Sequence, residues 1–261
     1  MITKNIESIG LEFEGGIDYY DLDRLKSWLR DKGWLNRFKV DTDGSVYVGN
    51  KEFSDAELKF WHSSMNKIFE FTDYLYNKCD FKTNESCGLH VHVKFKDCNK
   101  ALSLMSFKPF WNDFLDVYVK FAKSWLSEKR KKKYLRRLDN GYCLAKYREK
   151  DVVEQIKGYY RCSSRYRAIN LNSFKRFKTI EFRILPNQDD FEEFKVTITW
   201  FVKVIDKLFE KYKNVVKTLK VKSVDILQNE INFNKETYVV EVGKIKKVYE
   251  IKKFKFELVK V

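Results

Sequence analysis

Leu89-His90-Val91-His92-Val93 places an apolar residue at every second position and an imidazole at the positions between them. Because successive side chains of a β-strand point to opposite faces of the sheet, this alternation predicts a strand with one apolar and one polar face. Leu11-Glu12-Phe13-Glu14 repeats the pattern with two carboxylates, and Ile180-Glu181-Phe182-Arg183-Ile184 repeats it with a carboxylate and a guanidinium. The three stretches therefore predict one sheet on which these polar side chains converge.

The polar faces of these strands differ from the surface that this chain otherwise presents. Half-buried strands commonly turn a polar face to water, which is the plainer interpretation of such alternation. Lys is the commonest polar residue here, however, and it recurs throughout the alternating stretch 244–260. The polar positions of the three strands hold Glu, His and Arg instead, and a carboxylate-rich set with imidazole favours a site for Mg²⁺ or Mn²⁺ over Zn²⁺.

Apolar residues at helical spacing predict four helices. The first begins with a capping residue at Asp21 and ends at Gly33. The second begins at a capping box formed by Ser54 and Glu57 and continues to Leu75.

The third helix carries Pro109 in its first turn, and the fourth follows Asp189 and Asp190. Helices and strands alternate without the regular rhythm of βαβ units and without a glycine-rich phosphate loop. This mixture predicts an α+β fold with a largely antiparallel sheet. The predicted strands lie at 9–14, 44–48, 88–95, 166–172 and 178–185.

The character of the chain changes near residue 213. Lys-rich alternation follows at Tyr238–Val242 and Val248–Val259, with Gly243 at a turn between them. The sequence therefore predicts a main domain at residues 1–212 and a Lys-rich β-hairpin appendage at residues 213–261.

Composition limits the class of protein. Of the 261 residues, 44% are hydrophobic and 16% aromatic, which is enough for a buried core and excludes wholesale disorder. No uncharged apolar run approaches the roughly 18 residues of a membrane-spanning helix. The N-terminus lacks the apolar core of a signal peptide, which predicts a cytoplasmic protein. Five cysteines without a C-x-x-C pair fit neither a disulfide framework nor a zinc ribbon.

The net charge of +15 is concentrated in residues 120–150, with a net charge of +9, and in residues 203–261, with +7. Such surfaces attract nucleic acid. The excess of Lys over Arg and the scarcity of Ala and Pro are also what an AT-rich genome produces, so nucleic acid is not the favoured partner. Lys129–Arg137 and 244–260 are predicted to be solvated surface that lies away from the metal-binding face.

Five short motifs follow one another along the chain. They are Gly10–Glu14, Asp43-Gly44-Ser45 with Glu52, Cys87–His92, Arg167–Asn170 and Thr179–Arg183. In this order they resemble the amidoligase family, which belongs to the glutamine synthetase-like carboxylate–amine ligases. The resemblance spans residues 9–210.

The resemblance implies a curved, mainly antiparallel sheet flanked by helices, with ATP and Mg²⁺ or Mn²⁺ on its concave face. The implied metal ligands are Glu12, Glu14, Glu52, His90 and Glu181. The implied catalytic residues are His90, Glu181 and Arg183. Arg161, Arg165 and Arg167 precede Asn170, and these four residues with Arg183 are the candidates for binding the nucleotide; His92 has no assigned role.

Three functions remain open on the sequence. The favoured one is an ATP-dependent ligase that joins a small-molecule or peptide carboxylate to an amine through an acyl phosphate. The alternative is a metal-dependent nuclease or phosphodiesterase, since two Mg²⁺ ions and a basic surface would also serve phosphodiester cleavage. A third is a binding protein that keeps the sheet without the chemistry.

Overall fold

A mainly antiparallel, open sheet forms the centre of the protein in a computed structural model, which confirms the α+β prediction. The structure describes residues 2–42, 48, 53–105, 107–125, 127–141, 143–148, 151–152, 155, 166–213, 237–242, 245–252 and 255–260. The strands of this sheet are β1 (Ile6–Asp18), β2 (Phe38–Thr42), β3 (Phe53–His62), β4 (Phe81–Lys82), β5 (Gly88–Phe95), β6 (Ile169–Asn170) and β7 (Ile180–Pro186). Their order is β2-β3-β1-β5-β7-β6, with β4 also paired to β1.

Seven α-helices are present in the described part of the chain, and none of them is long and apolar enough to cross a membrane. They are α1 (Tyr19–Asp31), α2 (Met65–Lys78), α3 (Cys98–Met105), α4 (Lys108–Trp125), α5 (Glu128–Arg136), α6 (Asn172–Phe177) and α7 (Phe191–Tyr212). Two short 3₁₀ turns lie at Leu35–Arg37 and Arg137–Asp139.

The apolar face of the sheet packs against α2, α4 and α7. Phe13 of β1 lies with its ring centroid 6.1 Å from that of Phe71 in α2 and 5.7 Å from that of Phe194 in α7. Phe182 of β7 packs between Phe114 of α4, at 5.3 Å, and Phe201 of α7, at 5.1 Å. Each such buried side chain contributes roughly 1.5–3 kcal/mol, so this layer fixes which face of each strand turns away from the helices.

The first helix begins three residues earlier than the sequence predicted. Its N-terminal cap is Asp18, whose carboxylate accepts hydrogen bonds from the backbone N–H groups of Tyr20 at 2.6 Å and Asp21 at 3.3 Å. Asp21 itself lies in the first turn, where its carboxylate accepts the backbone N–H of Asp80 at 2.6 Å. The predicted end is confirmed, because Gly33 follows the helix with φ +68°.

The helix predicted to begin at Ser54 is wrong in its first half. Residues 53–62 form β3, which pairs with β1 on one side and β2 on the other, and α2 begins only after Ser64. Ala56, Leu58 and Phe60 are buried at every second position, which is the period of a strand. The spacing that suggested a capping box is therefore a coincidence within a central strand.

The other predicted elements are confirmed in part. The strands at 9–14, 88–95 and 178–185 and the helices after Pro109 and Asp190 are present; Asp190 caps α7 through the backbone N–H of Glu193, at 2.7 Å. The strand predicted at 166–172 shrinks to β6, because α6 begins at Asn172. The strand at 44–48 lies outside the described residues except for Val48.

The C-terminal segment contains a second, three-stranded antiparallel sheet rather than a hairpin alone. Its strands are β8 (Thr237–Val242), β9 (Ile245–Lys252) and β10 (Lys255–Lys260), in the order β10-β9-β8. Gly243, the predicted turn residue, lies outside the described residues. The division into domains at residues 212 and 213 stays a prediction.

Candidate active site

The pairing register of the sheet places the predicted site residues on one face. Glu12 of β1 lies opposite Lys59 of β3 on one side and opposite His90 of β5 on the other. Because directly opposed residues point to the same face, these three side chains form a row across the sheet. The flanking rows are Asp41, Glu57 and Glu14 on one side, and Gly10, His92, Glu181 and Asn170 on the other.

His90 lies at the centre of this face and is 1% exposed. Its Nδ1 atom is 3.2 Å from Glu12 Oε2, 3.4 Å from Glu181 Oε1 and 3.8 Å from Glu57 Oε1, and its Nε2 atom is 3.1 Å from Glu14 Oε1. Burial and the charge of Arg183 oppose protonation of the imidazole, but the neighbouring carboxylates raise its pKa to about 9. Four carboxylates from β1, β3 and β7 thus surround one imidazole.

Glu14 is held by β5, and Arg137 of the turn that follows α5 lies near it. Its Oε2 atom accepts the backbone N–H of Gly88. A Cβ atom added at Gly88 would lie 2.6 Å from Arg137 Nη2 and 3.0 Å from Glu14 Oε2. Only a glycine at this position leaves room for both side chains. Burial alone would raise the pKa of Glu14, but the charges of His90 and Arg137 and the hydrogen bonds lower it to about 2.

Glu181 is held at both carboxylate oxygens. Oε1 accepts a hydrogen bond from Nη1 of Arg183 at 2.6 Å, and Oε2 accepts a hydrogen bond from Nδ2 of Asn170 at 2.6 Å. A buried carboxylate with both oxygens hydrogen-bonded has a fixed orientation. The structure thus brings together His90, Glu181 and Arg183, the three predicted catalytic residues, and Asn170; their chemical roles stay predictions.

Glu57 and Lys59 of β3 join the same face, although the sequence placed Glu57 in a helix cap. Lys59 Nζ lies 2.7 Å from Glu57 Oε2, 3.0 Å from Asp41 Oδ2 and 3.3 Å from Glu12 Oε1. Burial, followed by the charge of Glu12, raises the pKa of Glu57 to about 7. Burial opposes the charge of Lys59, but the charge of Glu12 and the contacts with Glu57 and Asp41 raise its pKa above the ordinary value.

His92 also belongs to the acidic cluster, which is the group of Glu12, Glu14, Glu57 and Glu181 around His90. Its Nε2 atom is 3.1 Å from Glu12 Oε1, and its Nδ1 atom is 3.4 Å from Thr179 Oγ1. Burial would raise the pKa of Glu12, but the hydrogen bonds and charges of His90 and His92 lower it well below the ordinary value. His92 therefore orients Glu12 within the face.

The predicted nucleotide-binding residues are not all placed at the cluster. Arg167 is buried in an ion pair with Asp151 and donates from Nη1 to the carbonyl of Lys146 at 3.3 Å. Arg161, Arg165 and Glu52 lie outside the described residues. Of the candidates that the structure describes, Asn170 and Arg183 contact the cluster, through Glu181.

Sequence reasoning missed four residues at this face: Asp41, Glu57, Lys59 and Arg137. Glu57 and Lys59 were visible in the alternation of Ala56-Glu57-Leu58-Lys59-Phe60, which has the period of a strand. Arg137 carried no such signal, because it ends a run of basic residues that resembles solvated surface. The prediction of exposure is right for Lys129, Lys132 and Arg136 but wrong for Arg137, which is 4% exposed and donates Nη2 to the Arg183 carbonyl at 2.8 Å.

The side chains of the cluster fit a divalent cation. Glu12, His90 and Glu181 offer ligand atoms within 4.8 Å of one another, and so do Glu14, Glu57 and His90. Carboxylates crowded in this way repel one another unless cations lie between them. Several carboxylate oxygens with one imidazole nitrogen are the donor set expected for Mg²⁺ or Mn²⁺.

Comparison with known proteins gives a family. No curated protein and no solved structure matches the chain. A family model described as "Putative amidoligase enzyme" matches residues 27–205, which include β3, β5 and β7 and therefore Glu57, His90 and Glu181. Since this match covers more than half of the 261 residues, the chain belongs to the amidoligase family.

Proposed function

We propose that this amidoligase is an ATP- and Mg²⁺-dependent ligase, with Mn²⁺ as a substitute, that joins a carboxylate to an amine through an acyl phosphate. The observation that carries the proposal is the gathering of Glu12, Glu14, Glu57 and Glu181 around His90 on one face of the sheet. Family membership supports the ligase class, and the donor set supports metal-dependent phosphoryl transfer.

The chemistry explains why such an enzyme needs ATP. A carboxylate does not condense with an amine in water without activation, so its oxygen first attacks the γ-phosphate of ATP and ADP leaves. The amine then attacks the acyl carbon, and phosphate leaves as the amide forms. Phosphoryl transfer of this kind depends mainly on positioning and on neutralisation of phosphate charge.

Each polar group of the face has a role in this scheme. The carboxylates of Glu12, Glu14, Glu57 and Glu181 and the imidazole of His90 would hold the divalent ions. When bound, these ions neutralise charge on the phosphates and keep the reacting oxygens in line. Arg183 lies beside Glu181 and would face the γ-phosphate, where a guanidinium stabilises the charge of the transferred group.

The nucleotide is proposed to lie toward β6 and β7, where Asn170 and Arg183 both contact Glu181. Arg161 and Arg165 stay candidates for the same role. Arg167 would act indirectly, since its ion pair with Asp151 fixes the segment that leads into β6. The carboxylate substrate, a small molecule or a peptide, and the amine would enter from the open side of the cluster.

Hydroxylamine tests the proposal, because it intercepts an acyl phosphate and leaves a hydroxamate that iron colours. With Mg²⁺, ATP and a panel of amino acids and peptides, wild type should form hydroxamate with at least one carboxylate and release ADP in step. Glu14→Gln should lower the rate by at least 100-fold. Glu7→Gln is the matched control, since Glu7 is an exposed residue of the same strand that pairs with Lys94.

The nuclease alternative is less favoured because of the family assignment. It makes the opposite prediction in the same experiment. If no carboxylate gives hydroxamate, while Mg²⁺ alone supports cleavage of a nucleic acid that Glu14→Gln cannot cut, the ligase proposal is wrong.

A further inference from the structure

Lys59 is an unusual residue in a cluster built from carboxylates. Its ammonium lies among Glu57, Asp41 and Glu12, at 2.7, 3.0 and 3.3 Å, and these carboxylates come from three different strands. A lysine ammonium has three N–H donors and no acceptor, so one carboxylate oxygen is available for each N–H. The side chain of Lys59 is 25% exposed, so this contact is largely removed from water.

Two of these carboxylates divide their oxygens between Lys59 and His90. Glu57 turns Oε2 toward Lys59 and Oε1 toward His90, and Glu12 turns Oε1 toward Lys59 and Oε2 toward His90. Glu12 and Glu57 therefore each contact two positions that suit a cation. One position is beside His90, where the ligand atoms fit a divalent ion, and the other is taken by the Lys59 ammonium.

The neighbouring lysine shows that this arrangement is not an ordinary surface ion pair. Lys39 of β2 lies opposite Lys59 in the register and also contacts Asp41, but its side chain is 63% exposed. Exposed pairs of that kind contribute little to stability, because water screens them. Lys59 instead contacts three carboxylates, and its side chain is more buried than that of Lys39.

We infer that the Lys59 ammonium occupies a cation position of the acidic cluster, where the carboxylates of Asp41, Glu12 and Glu57 would otherwise bind a further divalent ion. The cluster of the wild type thus binds one divalent ion fewer than its carboxylates could hold. This inference rests on the metal site of the proposed function. A charge supplied by the chain is present at any metal concentration, so Glu12 and Glu57 stay in position when divalent ions are scarce.

Counting bound Mn²⁺ tests the inference without measuring activity. The full chain is titrated with Mn²⁺, and the free ion is followed by its electron paramagnetic resonance signal. Lys59→Gln should bind one more Mn²⁺ per chain than wild type. Lys39→Gln is the matched control, because it removes a neighbouring lysine that contacts only the outer carboxylate among these three, and it should bind the wild-type number.

Two further variants locate the additional ion. Lys59→Arg keeps the cation and should bind the wild-type number. Lys59→Gln/Asp41→Asn removes a carboxylate together with the lysine and should return to the wild-type number. An additional ion that persists in this double variant would lie elsewhere, which would overturn the inference.

The remaining outcomes also decide the matter. If Lys59→Gln does not fold in EDTA, Mn²⁺ should restore its circular dichroism spectrum, since the ion replaces the missing charge. A variant that stays unfolded in excess Mn²⁺, or that binds the wild-type number or fewer, overturns the inference and leaves the ligase proposal intact. If wild type binds no Mn²⁺ while Lys59→Gln binds one, the inference stands and the metal requirement of the proposed function falls.

Discussion

At the scale of single residues, the site is defined by how charge is balanced around His90. Four carboxylates lie within 4 Å of its ring, and the charges of Lys59, Arg137 and Arg183 act on this group of side chains. The protein partly relieves the crowding in the absence of metal by raising the pKa of Glu57 and of His90. The carboxylate that is easiest to neutralise is therefore Glu57.

Glu57→Gln should stabilise the protein in EDTA at pH 8. The pKa of about 7 in the folded state lies above the ordinary value of 4.5, so ionisation of Glu57 opposes folding. This destabilisation begins as the pH rises through 4.5 and is complete above 7. The melting temperature of the variant should therefore exceed that of wild type at pH 8, and the difference should shrink toward pH 5.

Mn²⁺ should reverse the order of the two melting temperatures, because a ligand that binds only the folded state stabilises it by an amount that grows with the logarithm of its affinity. Wild type should gain several degrees from Mn²⁺, and Glu57→Gln should gain much less. Glu7→Gln should behave as wild type in both conditions. If Glu57→Gln gains as much from Mn²⁺ as wild type does, Glu57 is not a ligand.

Arg137→Met should destabilise the protein by about 2 kcal/mol. The variant leaves the Arg183 carbonyl without its donor and Glu14 without a neighbouring cation, and an unsatisfied buried polar group costs roughly 1–3 kcal/mol. Urea unfolding in EDTA gives the stability. Arg136→Met is the control, because Arg136 is exposed and pairs with Glu85 on the surface; its change should stay within about 0.5 kcal/mol.

At the scale of elements, the alternating strands were predictable and the partners of β3 were not. The strands that contain Glu12, His90 and Glu181 each alternate cleanly, so their faces could be assigned from the sequence. Residues 54–62 also alternate, but Ser54 and Glu57 have the spacing of a helix cap and the helix α2 follows closely. These residues form a strand because they pair with both β1 and β2, and such long-range pairing cannot be predicted from a local sequence pattern.

Long-range packing also explains why the burial of Arg137 could not be predicted from the sequence. Arg137 ends a run of cations that looks uniformly solvated, yet the turn after α5 carries it beneath β5 to Gly88. Only the packing of α5 against the sheet separates Arg137 from Arg136. Asn170 and Arg183, in contrast, lie on strands of the predicted motifs, and both contact Glu181.

Gly88→Ala tests the close approach between β5 and the turn after α5. The added Cβ would lie 2.6 Å from Arg137 Nη2 and 3.0 Å from Glu14 Oε2, so both side chains must shift. We expect a loss of roughly 1–3 kcal/mol in stability and weaker Mn²⁺ binding. Gly10→Ala is the control on the neighbouring strand, where an added Cβ meets His92 and Trp61 at ordinary contact distances of 3.4 and 3.5 Å. Equal losses in both variants would mean that strand propensity, rather than Arg137, determines the effect.

At the scale of the whole molecule, part of the positive charge of residues 120–150 is paired with acidic residues outside the cluster. Several cations of α5 pair with acidic residues outside the cluster: Arg130 with Asp190 at 2.7 Å and Lys133 with Asp189 at 2.6 Å. These pairs reduce the charge that α5 presents to solvent. The other surplus, a net charge of +7, lies in residues 203–261.

Deletion of residues 215–261 should leave the catalytic cluster intact, because every residue of the cluster lies between Glu12 and Arg183 and α7 ends at Tyr212. The truncated chain should keep the number of bound Mn²⁺ ions and the melting temperature of the full chain to within a few degrees. Binding of duplex DNA and RNA is measured for both chains at 50 and 200 mM salt, since neutralised phosphates make affinity fall steeply with salt. We expect no tight binding by either chain. Tight, salt-sensitive binding that disappears on truncation would show that the Lys-rich segment binds nucleic acid, and loss of Mn²⁺ on truncation would show that this segment supports the site.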